Sequence, residues 1–302
     1  MTVIVVTRAG PLCTVQDAGR FGMLRHGVSA SGPMDRGAFA RAAAGMDHTG
    51  TAGIEFTTAG LSFRVEGGPI GAGFDGGAFT LTRNGESVPW PARLMLGDGD
   101  SVDITPGPAG NYGYVRFAHE LAVPPVMGSR ATSSIAGLGG LDGRSLRTGD
   151  RLTFGDTADQ TAQPSHPRPV QSEDGPIRVL WGLHAELFPS DVRERFASES
   201  FAISSQLDRM GGRLVDSGGV FAGQAALSLV SDAIVPGDIQ VLGDGTPIVL
   251  LRDHQPTGGY PRIATVISAD LDRFVQLRPG SDVRFEPVTL ERAHAALRGN
   301  AR

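Results

Sequence analysis

The chain has 302 residues, 27 basic and 32 acidic, for a formal net charge of −5. Hydrophobic residues at 40% and charged residues at 20% allow a buried core and exclude a disordered chain, and the acidic balance argues against nucleic-acid binding. No stretch approaches the roughly 20 apolar residues of a membrane span, the four apolar residues Val3–Val6 are too few for a secretory signal, and the single Cys13 excludes an internal disulfide framework. The expectation is a soluble, cytoplasmic protein.

In chain order, strands are predicted at Thr2–Val6, Leu61–Val65, Ala78–Arg83, Ser101–Thr105, Tyr112–Ala118 and Arg151–Phe154. A second set follows at Ile177–Trp181, Phe201–Ser204, Ala226–Ser231, Ile248–Arg252, Ile263–Ser268 and Asp282–Phe285. Asn84-Gly85 between two alternating runs predicts a hairpin with a type I′ turn. Helices are predicted at Pro33–Met46, at Asp191–Ala197 after a Ser190 cap, and at Leu290–Arg298 after a Thr289 cap. The 43 Gly and 20 Pro are spread along the chain, as many short strands joined by turns require. A turn-then-strand pattern recurs four times, at 94–104, 146–154, 234–242 and 277–285. The polar, Pro-rich stretch 156–176 separates the first two copies from the last two and reads as a linker. The class is mainly β with peripheral helices, in two units, 1–155 and 177–302.

All 27 basic residues are Arg. Lysine Schiff-base chemistry and the lysine of a phosphate-binding P-loop are therefore excluded, and any fixed cation is a guanidinium suited to carboxylate or phosphate. Five segments carry more polar residues and Gly than strands and turns need. TVQDAGRFG holds Gln16, Asp17 and Arg20; GVSASGPMDR holds Ser31 and Asp35 and runs into a helix start suited to an anion. GSRATSS brings Ser129 and Arg130 before a Gly-rich run, and SSQLDRMGGRL brings Asp208 and Arg209. The most site-like segment is RDHQPTGGYPR, with Asp253, His254, Thr257, Gly258, Gly259, Tyr260 and Arg262 between two apolar strands. Asp253 there suits a general base or a magnesium ligand. No residues stand at the spacing of a resident metal site.

These segments, with GIEFTTAG and PGDIQV, resemble in order the carboxyltransferase-domain family over about residues 12 to 286. That family includes the C-type subunit of prokaryotic 5-oxoprolinase, also called KipA or allophanate hydrolase subunit 2, and the carboxyltransferase domain of urea carboxylase. The resemblance implies two cyclophilin-like β-barrel domains. It implies a KipI-like B-type partner, joined in 5-oxoprolinase by an A-type one, and ATP with magnesium acting on a lactam or urea-like substrate. Asp253, Asp17, Arg262 and Tyr260 are then the catalytic candidates. Gln16, Arg20, Ser31, Asp35, Ser129, Arg130, Asp208, Arg209, Thr257, Gly258 and Gly259 are the substrate- or nucleotide-binding candidates. Two alternatives stand beside an ATP-dependent amide hydrolase: a biotin-dependent carboxyltransferase, and a non-catalytic regulator that binds the KipI-like partner. The chain departs from its relatives at Arg262, where they usually carry Lys, and at Pro256 before Thr257, where they tend to have a Thr pair.

Overall fold

The computed structural model describes residues 1–46, 49–155, 175–223 and 229–299. Most of the expected linker, 156–174, and the first half of the expected strand Ala226–Ser231 lie outside the described residues. The chain divides into two compact units, Met1–Gly22 with Ala30–Pro169, and Met23–Ser29 with Val170–Arg302. Both are built mainly on β-sheet.

The first unit carries a nine-stranded sheet. Along one path the order is Thr14–Gln16, Gly53–Thr57, Ser101–Phe117, Leu61–Glu66, Val3–Ala9 and Arg151–Thr153. Ser101–Phe117 is shared: its start pairs Leu61–Glu66, its end pairs Gly53–Thr57, and Ile70–Arg83 runs along most of its length. The sequence predicts two strands here because Pro106 and Pro108 interrupt the pattern. Pairing with Ile70–Arg83 on one side, at Thr105, Pro106 and Ala109, carries the strand through that interruption. Register shifts beside Gly76 and Ala78 bend the long pair, as barrel-like curvature requires. The Asn84-Gly85 hairpin forms with Arg83 opposite Glu86, and both turn residues have positive φ, 53° and 82°, as a type I′ turn demands. Phe56, Phe63, Phe74, Phe79 and Phe117 fill the interior beneath Trp90.

The second unit carries an eight-stranded sheet, with Ile177–Trp181 parallel to Phe285–Pro287 at one margin and the remaining pairs antiparallel. Its core is aromatic: Phe196 stacks on Phe285 at 5.1 Å with 9° between planes, and Phe201 and Phe221 join them. Helix Arg36–Ala43 is shorter than the predicted Pro33–Met46; it starts late because Asp35 caps it, so Pro33 is not its first residue. Ser190–Ser198 begins without a side-chain cap, whereas Leu290–Leu297 keeps the Thr289 cap. Leu229–Ser231 is not strand.

The recurring pattern has one physical basis. In each copy a backbone N–H closes onto a carbonyl three residues earlier: Asp100 to Gly97, Asp150 to Arg147, Asp238 to Val235 and Ser281 to Arg278, at 2.9–3.2 Å. The third residue of each turn is a glycine with positive φ, Gly99, Gly149, Gly237 and Gly280 at 81–98°, the signature of a type II turn. In the first three copies the Asp carboxylate also takes the N–H of the first turn residue, at 2.6, 2.7 and 3.0 Å.

Candidate functional site

In the first unit, segments far apart in sequence are stitched together by buried polar side chains. The Gln16 amide donates to Thr14 Oγ1 at 2.9 Å and to the Thr132 carbonyl at 3.1 Å, and its oxygen accepts the Gly32 N–H at 3.1 Å. Asp17 accepts the Ser129 hydroxyl at 2.6 Å and the Gly19 N–H at 2.9 Å on one oxygen, and the Arg130 N–H at 2.6 Å on the other. Arg20 is 1% exposed and donates to the Ala131 carbonyl. Gln16, Asp17, Arg20, Ser129 and Arg130 are thus brought together beside the loop that carries Ser31.

Ser31 is fully buried in the left-handed region at φ 55°, and its hydroxyl has no hydrogen-bond partner among the described residues. A non-glycine residue there costs about 1–2 kcal/mol, so the surrounding loop must impose the conformation. Asp35 accepts the Ala38 N–H at 2.8 Å as the helix cap, and its own N–H donates to Tyr114 Oη at 2.7 Å. Tyr114 in turn donates to Glu55 at 2.9 Å, on the oxygen that also accepts the Met34 N–H. Burial first, then the Glu55 and Asp35 charges, push the phenol well above its ordinary range, so it remains a donor. Arg130 donates to the Val123 carbonyl at 2.8 Å and lies 3.9 Å from Glu120. Arg116 lies 4.1 Å from the Phe39 ring centre and donates to the Phe39 and Gly50 carbonyls. Burial brings its guanidinium down to about 10, against the pull of Glu120 and Asp17, so it stays charged at neutral pH.

In the second unit, Arg209 and Asp253 form a two-point ion pair, Nε to Oδ2 at 2.8 Å and Nη2 to Oδ1 at 3.2 Å, with side chains only 4% and 1% exposed. The Asp253 N–H returns to the Arg209 carbonyl at 2.8 Å. Both oxygens of Asp253 are therefore engaged by one guanidinium. Asp208 is exposed and accepts the Met210 and Gly211 N–H groups, closing the turn that presents Arg209. His254 is buried, with Nδ1 2.6 Å from the Gln255 carbonyl, so Nδ1 carries the proton; burial holds its pKa below the usual histidine range.

Arg262 donates to Asp232 at 2.5 Å, to Asp238 at 3.4 Å and to the Ala233 carbonyl at 2.8 Å. Its backbone N–H faces His184 Nδ1 at 3.3 Å, and burial, then the Arg262 charge, lower the His184 pKa. Thr257–Gly258 pairs with Asp232–Ala233, and the Gly259 carbonyl accepts the Leu229 N–H at 2.8 Å. A Cβ on Gly258 would fall 2.5 Å from the Gln240 amide, which itself reaches the Tyr260 carbonyl at 3.4 Å. Thr257 and Tyr260 are exposed.

The sequence reading missed Glu55, Tyr114 and Arg116 in the first unit, and His184, Asp232, Asp238 and Gln240 in the second. A Glu within GIEFT and an Arg within YVRF, charges inside otherwise apolar strands, were the available signals. Among the described residues no three His, Cys, Asp or Glu side chains gather as a metal-binding group.

Comparison with known proteins places this geometry. The family described as carboxyltransferase domain, subdomain A and B, matches residues 26–287. The chain is 33% identical to the C subunit of 5-oxoprolinase from Escherichia coli (strain K12), over 99% of this chain and 96% of that protein. It is 27% identical to urea amidolyase of Saccharomyces cerevisiae, over 96% of this chain but only 17% of that protein. The crystal structure of Kluyveromyces lactis urea carboxylase superposes with a TM-score of 0.85 at 25% identity, over 99% of this chain and 28% of the other.

Proposed function

Because the chain belongs to the carboxyltransferase-domain family of subdomains A and B, we propose that it is the C-type subunit of an ATP-dependent lactam hydrolase of the 5-oxoprolinase kind. In this reading it works with a KipI-like B-type partner and with an A-type partner. The observation that carries the proposal is end-to-end likeness: 33% identity across nearly the full length of both this chain and the E. coli protein.

Opening a lactam requires activation of a poor amide and fixed donors for the negative charge that develops on oxygen. The first unit supplies one in the partly exposed Arg130 guanidinium, with Arg20 and the Ser31 hydroxyl buried in the adjoining loops. Asp17 and Asp253 act as positioning residues, since their oxygens hold the Ser129–Arg130 loop and Arg209 respectively. Arg262 is a fixed cation anchored by two carboxylates, and Tyr260, two residues before it in sequence, is exposed. The phosphates of ATP suit these arginines, but magnesium finds no gathered carboxylate set among the described residues, and no step is assigned to it.

A second reading, biotin-dependent carboxyl transfer, is favoured by the superposition on urea carboxylase. With no Lys among these 302 residues, the biotinylated lysine would lie outside them. Mixing the chain with its A- and B-type partners separates the two. Lactam hydrolysis predicts ATP consumption on addition of 5-oxoproline, whereas consumption only with urea and a biotinylated carrier supports the second reading.

A further inference from the structure

A cavity of about 540 Å³ opens within the second unit, lined by Ser204, Gln206, Arg213, Asp216, Asp244 and Thr246 among others. It takes in none of the residues assigned above to the lactam reaction. Its shape comes from an irregular pairing of Phe201–Leu207 with Gly211–Val215. Ile203 sits opposite Leu214 and Leu207 opposite Gly212, so 204–206 face Arg213 alone. Such bulges release side chains from the ladder and re-aim them. Ser204 and Gln206 are tied into a local turn by the Gln206 N–H to Ser204 Oγ contact at 3.2 Å.

Arg213 is partly buried, and its guanidinium makes no hydrogen bond or ion pair among the described residues. The acids of the cavity are differently placed. Asp216 accepts the Val220 and Phe221 N–H groups at 3.0 and 2.9 Å, and Asp244 accepts the Thr246 N–H at 2.9 Å. Thr246, with Arg213 as a weaker influence, keeps the Asp244 carboxyl below its ordinary range, so it is ionised at neutral pH. The cavity thus offers one uncommitted guanidinium fork and two fixed carboxylates with spare lone pairs. A phosphate dianion would meet two negative charges for one positive. A monocarboxylate suits the fork, and an N–H donor on the same small molecule suits the carboxylates. The volume lies within the range of small-molecule sites.

We propose that this cavity is a binding site for a small monocarboxylate that also carries an N–H donor, an amino acid or its cyclised amide, with the carboxylate on Arg213 and the N–H toward Asp216 and Asp244.

Titration calorimetry of the full chain with L-alanine, 5-oxoproline, propionate and inorganic phosphate tests it. One or both of the first two should bind at least ten-fold more tightly than propionate or phosphate; which one binds tells whether the donor is an ammonium or a lactam N–H. Arg213→Gln should weaken that binding at least ten-fold at unchanged Tm, and Asp244→Asn should weaken it while leaving propionate unaffected. If Arg213→Gln fails to fold, Arg213→Lys keeps the charge, loses the fork, and should show the same direction. Absence of binding by both N–H ligands, equal binding by a folded Arg213→Gln, or phosphate binding as tightly as the carboxylates would overturn the proposal. So would binding that survives Arg213→Gln but is lost in Arg130→Gln, since that places the ligand in the first unit.

Discussion

At the scale of single residues, the polar side chains that the sequence marks out mostly hold other groups in place. Asp253 is the sharpest case. Removing it as Asp253→Ala takes the two-point carboxylate partner from a buried guanidinium, which costs about 3–5 kcal/mol. The double change Arg209→Met with Asp253→Leu should recover most of that in a urea melt, because an apolar pair of similar size needs no partner. Asp17→Ala strands the Ser129 hydroxyl and the Arg130 and Gly19 N–H groups, with an expected loss of about 2–4 kcal/mol in the same measurement. His254 sets a pH dependence. Its native pKa is held down by burial, so the unfolded chain binds the proton first as pH falls. Stability should therefore drop as pH falls through the ordinary histidine range, near 6.5, toward the lowered native value. His254→Gln should flatten the Tm profile in that window; an unchanged slope would remove His254 as its source. The residue types and segments of this network were legible in the sequence. Their pairings were not, because Asp17 with Ser129, or Arg209 with Asp253, is a matter of tertiary distance that spacing does not encode.

At the scale of elements, legibility followed local chemistry. The Asn84-Gly85 hairpin and the Thr289 cap are dictated by residues within a few positions, and both formed as read. The four recurring turns are equally local, which gives a graded prediction. Gly99→Ala meets no neighbouring atom and should cost only the left-handed backbone penalty, about 1 kcal/mol. Gly237→Ala has the same φ problem and also brings its Cβ to 2.8 Å from the Val266 carbonyl, so its melting temperature should fall further. Strands whose pairing overrides local pattern were harder. Gly53–Thr57 and Gly211–Val215 carry Gly or polar residues that read as loop, and neighbouring strands on both sides hold them extended. The helix after Asp35 was placed too early, because Pro33 suits a first position while Asp35 supplies the cap. Asp35→Ala should cost about 1 kcal/mol and Asp35→Ser much less, as expected of a cap that keeps an oxygen.

At the scale of the molecule, spread Gly and Pro together with short alternating runs and few helices pointed to mainly β architecture, and each sheet buries its own set of phenylalanines. Composition could not reveal that Met23–Ser29 groups with the second unit while its neighbours on either side belong to the first. That excursion follows from contacts distant in sequence. The central proposal, that the arginine-bearing loops of this chain serve an ATP-driven lactam opening, meets its most direct test in glutamate formation from 5-oxoproline. Three mixtures are compared: the partner proteins alone, with this chain, and with this chain carrying Arg130→Gln. The expected outcome is no product without the chain, product with it, and a loss of roughly 10²–10³ with the folded variant, the scale of removing one charge-stabilising donor. Product formed equally well without the chain, or undiminished by Arg130→Gln, would contradict it.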